Sequence, residues 1–335
     1  MARWQYSKGL HHLGGGSYGY LLPDGGWGWS NTGLVVDGDQ TLLVDTLINL
    51  DLTTEMLRVM ADGVPASKKI DILVNSHSDA DHTFGNQLVK GARIVSSKAT
   101  AEEFFKLSPG NLQAIIGDAE RLGDGARFLK DIMPPDLYDF SQIALTGPTE
   151  TFEGQGRLKV GDKDVVLHEL GPAHTRGDTV VQVVQDRVVY TGDLLFIGVH
   201  PAIWDGSLDG WIAACDRILA LDIDVVVPGH GPVTDKPGVR EFRSYLVTIR
   251  DEVRKRFEAG LSVEEAAMDI IFSPPYADWI CAERVIGSVN FLYRQWGSEK
   301  ALTDFLDIFA MLRRYQRKIE KRAACDHAGP CDHAH

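Results

Sequence analysis

The chain has 335 residues, 44% of them hydrophobic and 24% charged, a balance that supports a buried core and excludes a disordered or fibrous polymer. Thirty-four Lys and Arg against 47 Asp and Glu leave a formal net charge of −13, which argues against nucleic acid or an anionic membrane as partner, because phosphate binding needs basic surface. No apolar run approaches the ~18 residues of a membrane-spanning helix. Met1 to Tyr6 lacks the charged-then-apolar pattern of a leader. Cys215, Cys281, Cys325 and Cys331 suggest no disulfide framework, so a reducing, cytoplasmic setting is expected.

Short β-rich runs open the chain at Tyr18 to Leu22, Thr32 to Val36 and Thr41 to Asp45. Leu52 to Met60 reads as a helix with Leu52, Met56, Val59 and Met60 on one face. Ile72-Leu73-Val74 and Ile94-Val95 read as buried strands. Ala99 to about Pro148 reads as helical and irregular, broken at Pro134-Pro135. A stretch this long favours a lid or a dimer surface over a plain connection. Strand text returns at Arg157 to Val160, Val165 to Leu170, Thr179 to Val184 and Val188 to Thr191. A helix over Leu208 to Leu221 and a strand over Asp224 to Val227 follow. From Gly238 the text is helical, with Phe242, Tyr245, Leu246, Ile249, Val253 and Phe257 at helical spacing. The organisation expected is a catalytic domain over 1–235 with an insertion or lid at 99–148, a helical extension over 236–322, and a Cys/His-rich tail over 323–335.

The strongest chemical signal is His77-Ser78-Asp79-Ala80-Asp81-His82, directly after the run Ile72 to Val74. In an extended segment His77, Asp79 and Asp81 share one side, and a turn at His82 adds a fourth donor. Three further elements each follow a strand: His174 within Gly171 to Asp178, Asp193 within Thr191-Gly192-Asp193, and His230 within Pro228-Gly229-His230-Gly231. Singly, His174 and His230 read as turn residues and Asp193 as a helix cap. Together they are hard to explain as turns.

Over residues 15 to 235 the chain resembles the metallo-β-lactamase-fold superfamily, through Val44-Asp45-Thr46, the His77 to His82 block, His174 with Thr175 and Gly177-Asp178, Asp193 and His230. The resemblance implies an α/β fold, an αββα sandwich with a dinuclear metal site at one edge of its sheets, here with a C-terminal helical extension. Carried over by position, His77, Asp79 and His174 form the first metal site. Asp81, His82 and His230 form the second, and Asp193 bridges them. Asp81 takes the catalytic role of orienting or deprotonating the nucleophile.

One position departs from the family's His-x-His-x-Asp-His block: its second His is Asp79 here. Three carboxylates make the centre less positive, so it acidifies water less. An oxygen donor moves preference from Zn2+ towards Fe or Mn. Flavodiiron proteins of the superfamily carry an acid at this point, but also a flavodoxin domain for which this chain has no pattern. Asp is shorter than His, so Asp79 either ligates or leaves the first site weak; the residues leave both open.

The Gly25 to Asn31 loop carries Trp27 and Trp29, candidate substrate-binding aromatics. His200 follows Asp193 closely and is a candidate substrate contact, with a turn histidine as the plain alternative. The Cys325 to His335 tract has metal-competent side chains but reads first as an unstructured tail. The expected activity is that of a metal-dependent hydrolase in which a metal-bound hydroxide attacks an electrophilic carbon of a small ester, thioester, lactone or related substrate. Its cofactors are two divalent ions, Zn2+ first, Fe or Mn because of Asp79. An aromatic polyketide-type cyclase, a di-iron redox enzyme and a binding module are the alternatives. The aromatic-rich helical text after Gly238 leads to the expectation of a homodimer.

Overall fold

The computed structural model describes residues 4–23, 26–270 and 276–328, the side chains of 323–328 excepted. Gly25 of the Trp-bearing loop and the side chains of the Cys325 to His335 tract lie outside the described residues. The described chain forms two compact units. One comprises residues 1–114, 133–199 and 205–249; the other comprises 115–132, 200–204 and 250–335.

The first unit holds two sheets. The larger runs β1 (Gly9–Gly14), β2 (Ser17–Leu21), β3 (Thr32–Asp37), β4 (Gln40–Val44), β5 (Ile72–Val74), β6 (Arg93–Ser97), β7 (Glu150–Phe152), in that order across the sheet. Its first four strands pair antiparallel and the rest parallel. The smaller sheet comprises β8 (Gln155–Val160), β9 (Lys163–Glu169), β10 (Thr179–Val183), β11 (Val188–Tyr190) and β12 (Val225–Val227), with only β11 and β12 parallel. The sequence reading missed two strands. β1 lacks β-branched residues, reading Gly-Leu-His-His-Leu-Gly, and β7 has three residues.

Alternate side chains of both sheets meet in one core: Val35, Leu42, Val44 and Val74 from the larger, Val165, Leu167, Val181 and Val227 from the smaller. Burying a side chain of this kind contributes about 1.5–3 kcal/mol. Tyr190 crosses this layer, its hydroxyl donating to the carbonyl of Tyr18 at 2.9 Å. Gly33 makes room for it: a Cβ there would lie 2.3 Å from the Tyr190 ring. The outer face of the larger sheet is covered by α1 (Leu50–Gly63) through Met56 and Met60. Asn49 caps α1 by accepting from Leu52 N at 2.8 Å. The two apolar faces and the covering helix make the expected αββα layering.

After β5 comes a single helical turn, α2 (Ala80–Thr83). The stretch after β6 contains α3 (Lys98–Glu103), α4 (Pro109–Gly117), α5 (Ala119–Leu122) and α6 (Asp124–Ile132), ending just before Pro134-Pro135. α7 (Leu208–Ala220) follows a Ser207 cap, and α8 (Lys236–Glu258) carries Phe242, Tyr245, Leu246, Ile249 and Val253 fully buried.

The second unit is helical. It includes α6, α9 (Val263–Ile270), α10 (Arg284–Gln295) and α11 (Phe305–Ala328). Phe128 of α6 meets Phe309 of α11 with ring centroids 6.2 Å apart, and Arg313 reaches Asp131 at 3.1 Å. Tyr315 of α11 donates to the Ala267 carbonyl at 2.7 Å. Arg254 stacks 3.8 Å over the Trp296 ring. No described helix is long and apolar enough to cross a membrane.

Candidate metal centre

All seven metal-competent residues named from the sequence lie in the first unit, at chain segments that follow strands. His77 leaves β5 and Asp79 precedes α2, which carries Asp81 and His82. His174 lies between β9 and β10, Asp193 just after β11, and His230 just after β12. The block 77–82 is not extended, contrary to the alternation argued above. Residues 80–83 form a helical turn, with Phe84 N bonded to Ala80 O at 3.0 Å. That turn, not strand alternation, sets how Asp81 and His82 project.

The donor atoms form two groups with a shared member. Asp79 Oδ2 lies 3.2 Å from His174 Nε2 and 3.7 Å from His77 Nε2. Asp81 Oδ2 lies 3.4 Å from His230 Nε2 and 3.8 Å from His82 Nε2. Asp193 stands between them, with Oδ2 3.5 Å from His174 Nε2 and 3.2 Å from His230 Nε2, and Oδ1 3.0 Å from His82 Nε2. Ligands at about 2.0–2.2 Å in a tetrahedron sit roughly 3.3–3.6 Å apart, so this spacing suits first-row divalent ions. His77 Nε2 is buried with no hydrogen-bond partner, and His82 Nε2 and Asp193 Oδ1, though 3.0 Å apart, make no hydrogen bond, a costly arrangement unless a cation faces them. The residues present therefore fit two ions.

Charges within the cluster hold one another. Burial works to raise the Asp81 carboxyl, but His82 and His230 outweigh it and bring it to about 2. Asp193 is held well below the carboxylate range, burial being overcome by His230 and His82. Burial would lower His174, yet Asp79 and Asp193 raise it to about 9.

The far sides of the rings are anchored too. His82 Nδ1 donates to Asp45 Oδ2 at 3.0 Å. His77 Nδ1 donates to Ser76 Oγ at 2.9 Å, and that hydroxyl donates to Asp45 Oδ2 at 2.6 Å. His230 Nδ1 donates to the Trp29 carbonyl at 3.0 Å. Such partners fix tautomer and orientation. Asp45 entered the sequence reading only as part of a resemblance, and Ser76 not at all. The one signal was their position at the ends of β4 and β5. Asn31, 4% exposed, bonds Leu22 N, Pro228 O and Gly231 O through its amide, tying the Trp loop to the His230 turn.

Trp29 packs edge-on to Tyr138, whose hydroxyl donates to the Trp27 carbonyl at 2.9 Å. Both Trp residues are partly buried. His200 belongs to the second unit and is 2% exposed. Its N bonds Ile280 O at 3.0 Å, and burial followed by the Arg284 charge lowers its imidazole to about 4.

The family model of the metallo-beta-lactamase superfamily matches residues 25–230. The chain is 27% identical over 203 residues to the 2,4-dinitroanisole O-demethylase subunit alpha of Nocardioides sp., covering 59% of this chain and 51% of that one. It is 25% identical over 227 residues to a probable metallo-hydrolase of Methanocaldococcus jannaschii, covering 64% and 95%. The stereoselective inverting sec-alkylsulfatase of Pseudomonas sp. superposes with a TM-score of 0.64 at 15% identity, covering 87% of this chain and 50% of that one. The chain thus spans about half the length of the demethylase subunit and of the sulfatase.

Proposed function

The chain belongs to the metallo-beta-lactamase superfamily, and from that premise we propose that it is a metal-dependent hydrolase cleaving an ester, thioester, lactone or related bond in a small organic substrate. The observation that carries the reading is the convergence of four imidazoles and three carboxylates, with His77 Nε2 buried and without a hydrogen-bond partner. A relative that is by name a probable metallo-hydrolase supports the hydrolase reading, and one that is by name an O-demethylase supports a small organic substrate.

Two divalent ions held there would supply Lewis acidity and an acidified water. His77, Asp79 and His174 would hold one, Asp81, His82 and His230 the other, and Asp193 would serve both. Asp81, its carboxyl held at about 2, would orient the water that the ions acidify. Asp45 and the Trp29 carbonyl keep His82 and His230 turned towards the cluster. Trp27, on the loop tied to His230, supplies an apolar wall for substrate. We place Zn2+ first among the metals, with Fe or Mn favoured by the Asp79 oxygen.

The test is metal analysis of protein purified without added metal, joined to a hydrolysis panel. The panel holds p-nitrophenyl acetate, p-nitrophenyl sulfate, an acyl thioester and a lactone, with and without chelator. Turnover that chelation abolishes and the metal restores is expected on at least one substrate. Two bound ions with no chelator-sensitive turnover on any would count against hydrolysis, and iron with a visible absorption band would favour redox chemistry.

A further inference from the structure

The two halves of the cluster repeat each other. Each has two imidazoles and one terminal carboxylate. Asp79 lies 3.2 and 3.7 Å from its two imidazoles, and Asp81 lies 3.4 and 3.8 Å from its own. His77 and His174 meet at 5.2 Å and 82°, His82 and His230 at 5.8 Å and 77°. Asp79, in place of the histidine expected from the family's block, makes the donor sets alike. Donor type therefore cannot rank the two sites.

Their supports differ. On the Asp81 side, His82 donates to the carboxylate of Asp45 and His230 to a backbone carbonyl. On the Asp79 side, His77 reaches Asp45 only through the Ser76 hydroxyl, and His174 Nδ1 is buried with no hydrogen-bond partner. Asp79 is also the more open carboxylate, 37% exposed against 17% for Asp81. An imidazole that donates to an anion is the more basic ligand and is fixed in orientation, and such partners are worth roughly 10–100-fold in metal affinity.

We infer that the second site, Asp81 with His82 and His230, fills first and holds its ion tightly, while the Asp79 site fills second and exchanges. Asp45 is the positioning residue that sets this order. The inference rests on the dinuclear reading above.

The full-length protein, stripped with chelator, is titrated with Mn2+, the free hydrated ion being read by electron paramagnetic resonance. Two ions are expected, the first bound at least about tenfold more tightly. Asp45→Asn keeps the shape and removes the charge, and should weaken the tighter step about 10–100-fold while changing the weaker step less. Asp79→Asn should weaken the second step alone. If Asp45→Asn does not fold, Ser76→Ala serves in its place and should weaken only the second step. Equal steps, loss of the tighter step in Asp79→Asn, or a larger effect of Asp45→Asn on the weaker step would each overturn the loading order. Uptake of one ion or none by the wild type would instead sink the dinuclear reading, and the order with it.

Discussion

Gly229 offers a sharp test of how the cluster is built, because its backbone suits any residue while its surroundings do not. A Cβ at this position would lie 2.0 Å from Asp193 Oδ1, and 2.7 and 2.8 Å from the Gly192 carbonyl carbon and oxygen. Since Cβ contacts under 3.0 Å are essentially never seen, Gly229→Ala must move Asp193 or the turn by about 1 Å. Gly229 N also bonds Gly192 O at 2.8 Å, and its own carbonyl accepts from Asn31 N at 2.8 Å, so the turn has little room to retreat. Overpacking of this kind costs about 1–3 kcal/mol. Metal ligation tolerates errors of only about 0.2 Å, and a 1 Å misplacement lowers turnover about 100-fold. We therefore expect Gly229→Ala to fold with reduced stability, to lose bound metal on dialysis, and to lose about two decades of the proposed hydrolysis. Metal content of dialysed protein and thermal unfolding measure this. Full metal retention with unchanged melting would refute the placement of Asp193 between the two groups.

Ala at Asp81 or His230 should remove the ion of that group and most activity, read as metal stoichiometry; a double variant with full turnover would discard the assignment. A pH series probes the charges. In the metal-free protein His174 is raised from 6.5 to about 9, so its contribution to stability is present below about 6.5 and lost as pH rises through 9. Metal binding needs the neutral ring and strengthens over the same window, so the melting-temperature gap between loaded and metal-free protein should widen from pH 6.5 to 9. A constant or narrowing gap would contradict this coupling. Light scattering at micromolar concentration should show a dimer, and a mass of 36.9 kDa, unchanged on dilution, would rule against that expectation.

The strands were legible wherever branched apolar residues cluster, as at Ile72 to Val74, and dim where they do not, as in β1 with its paired histidines. The clustering of the metal-competent residues was legible because donors at four strand ends have no common structural reason to recur. Their geometry was not: the helical turn at 80–83 depends on Thr46 N reaching His82 O at 3.0 Å, a contact across 36 residues. Asp45 was visible only through the family resemblance, Ser76 not at all, and the Trp29 carbonyl could not be, since a backbone oxygen carries no residue signature. The grouping of residues 115–132 with the C-terminal helices rests on pairs such as Phe128 with Phe309, which local periodicity cannot supply.

Asn31 has a consequence for how new specificities can be drawn from this scaffold. Its amide fastens the loop at Trp29 to the turn at His230, and the Trp29 carbonyl then aims that histidine. Residues 29–31 are thus machinery shared by two tasks, whereas Trp27, two positions upstream, accepts from the Tyr138 hydroxyl through its backbone carbonyl, a bond that does not depend on its side chain. On the reading proposed above, a library randomised at Trp27 should sample the substrate wall and keep the metal. One that includes Asn31 varies wall and ions together, and most of its members would surrender their metal before showing any preference for substrate.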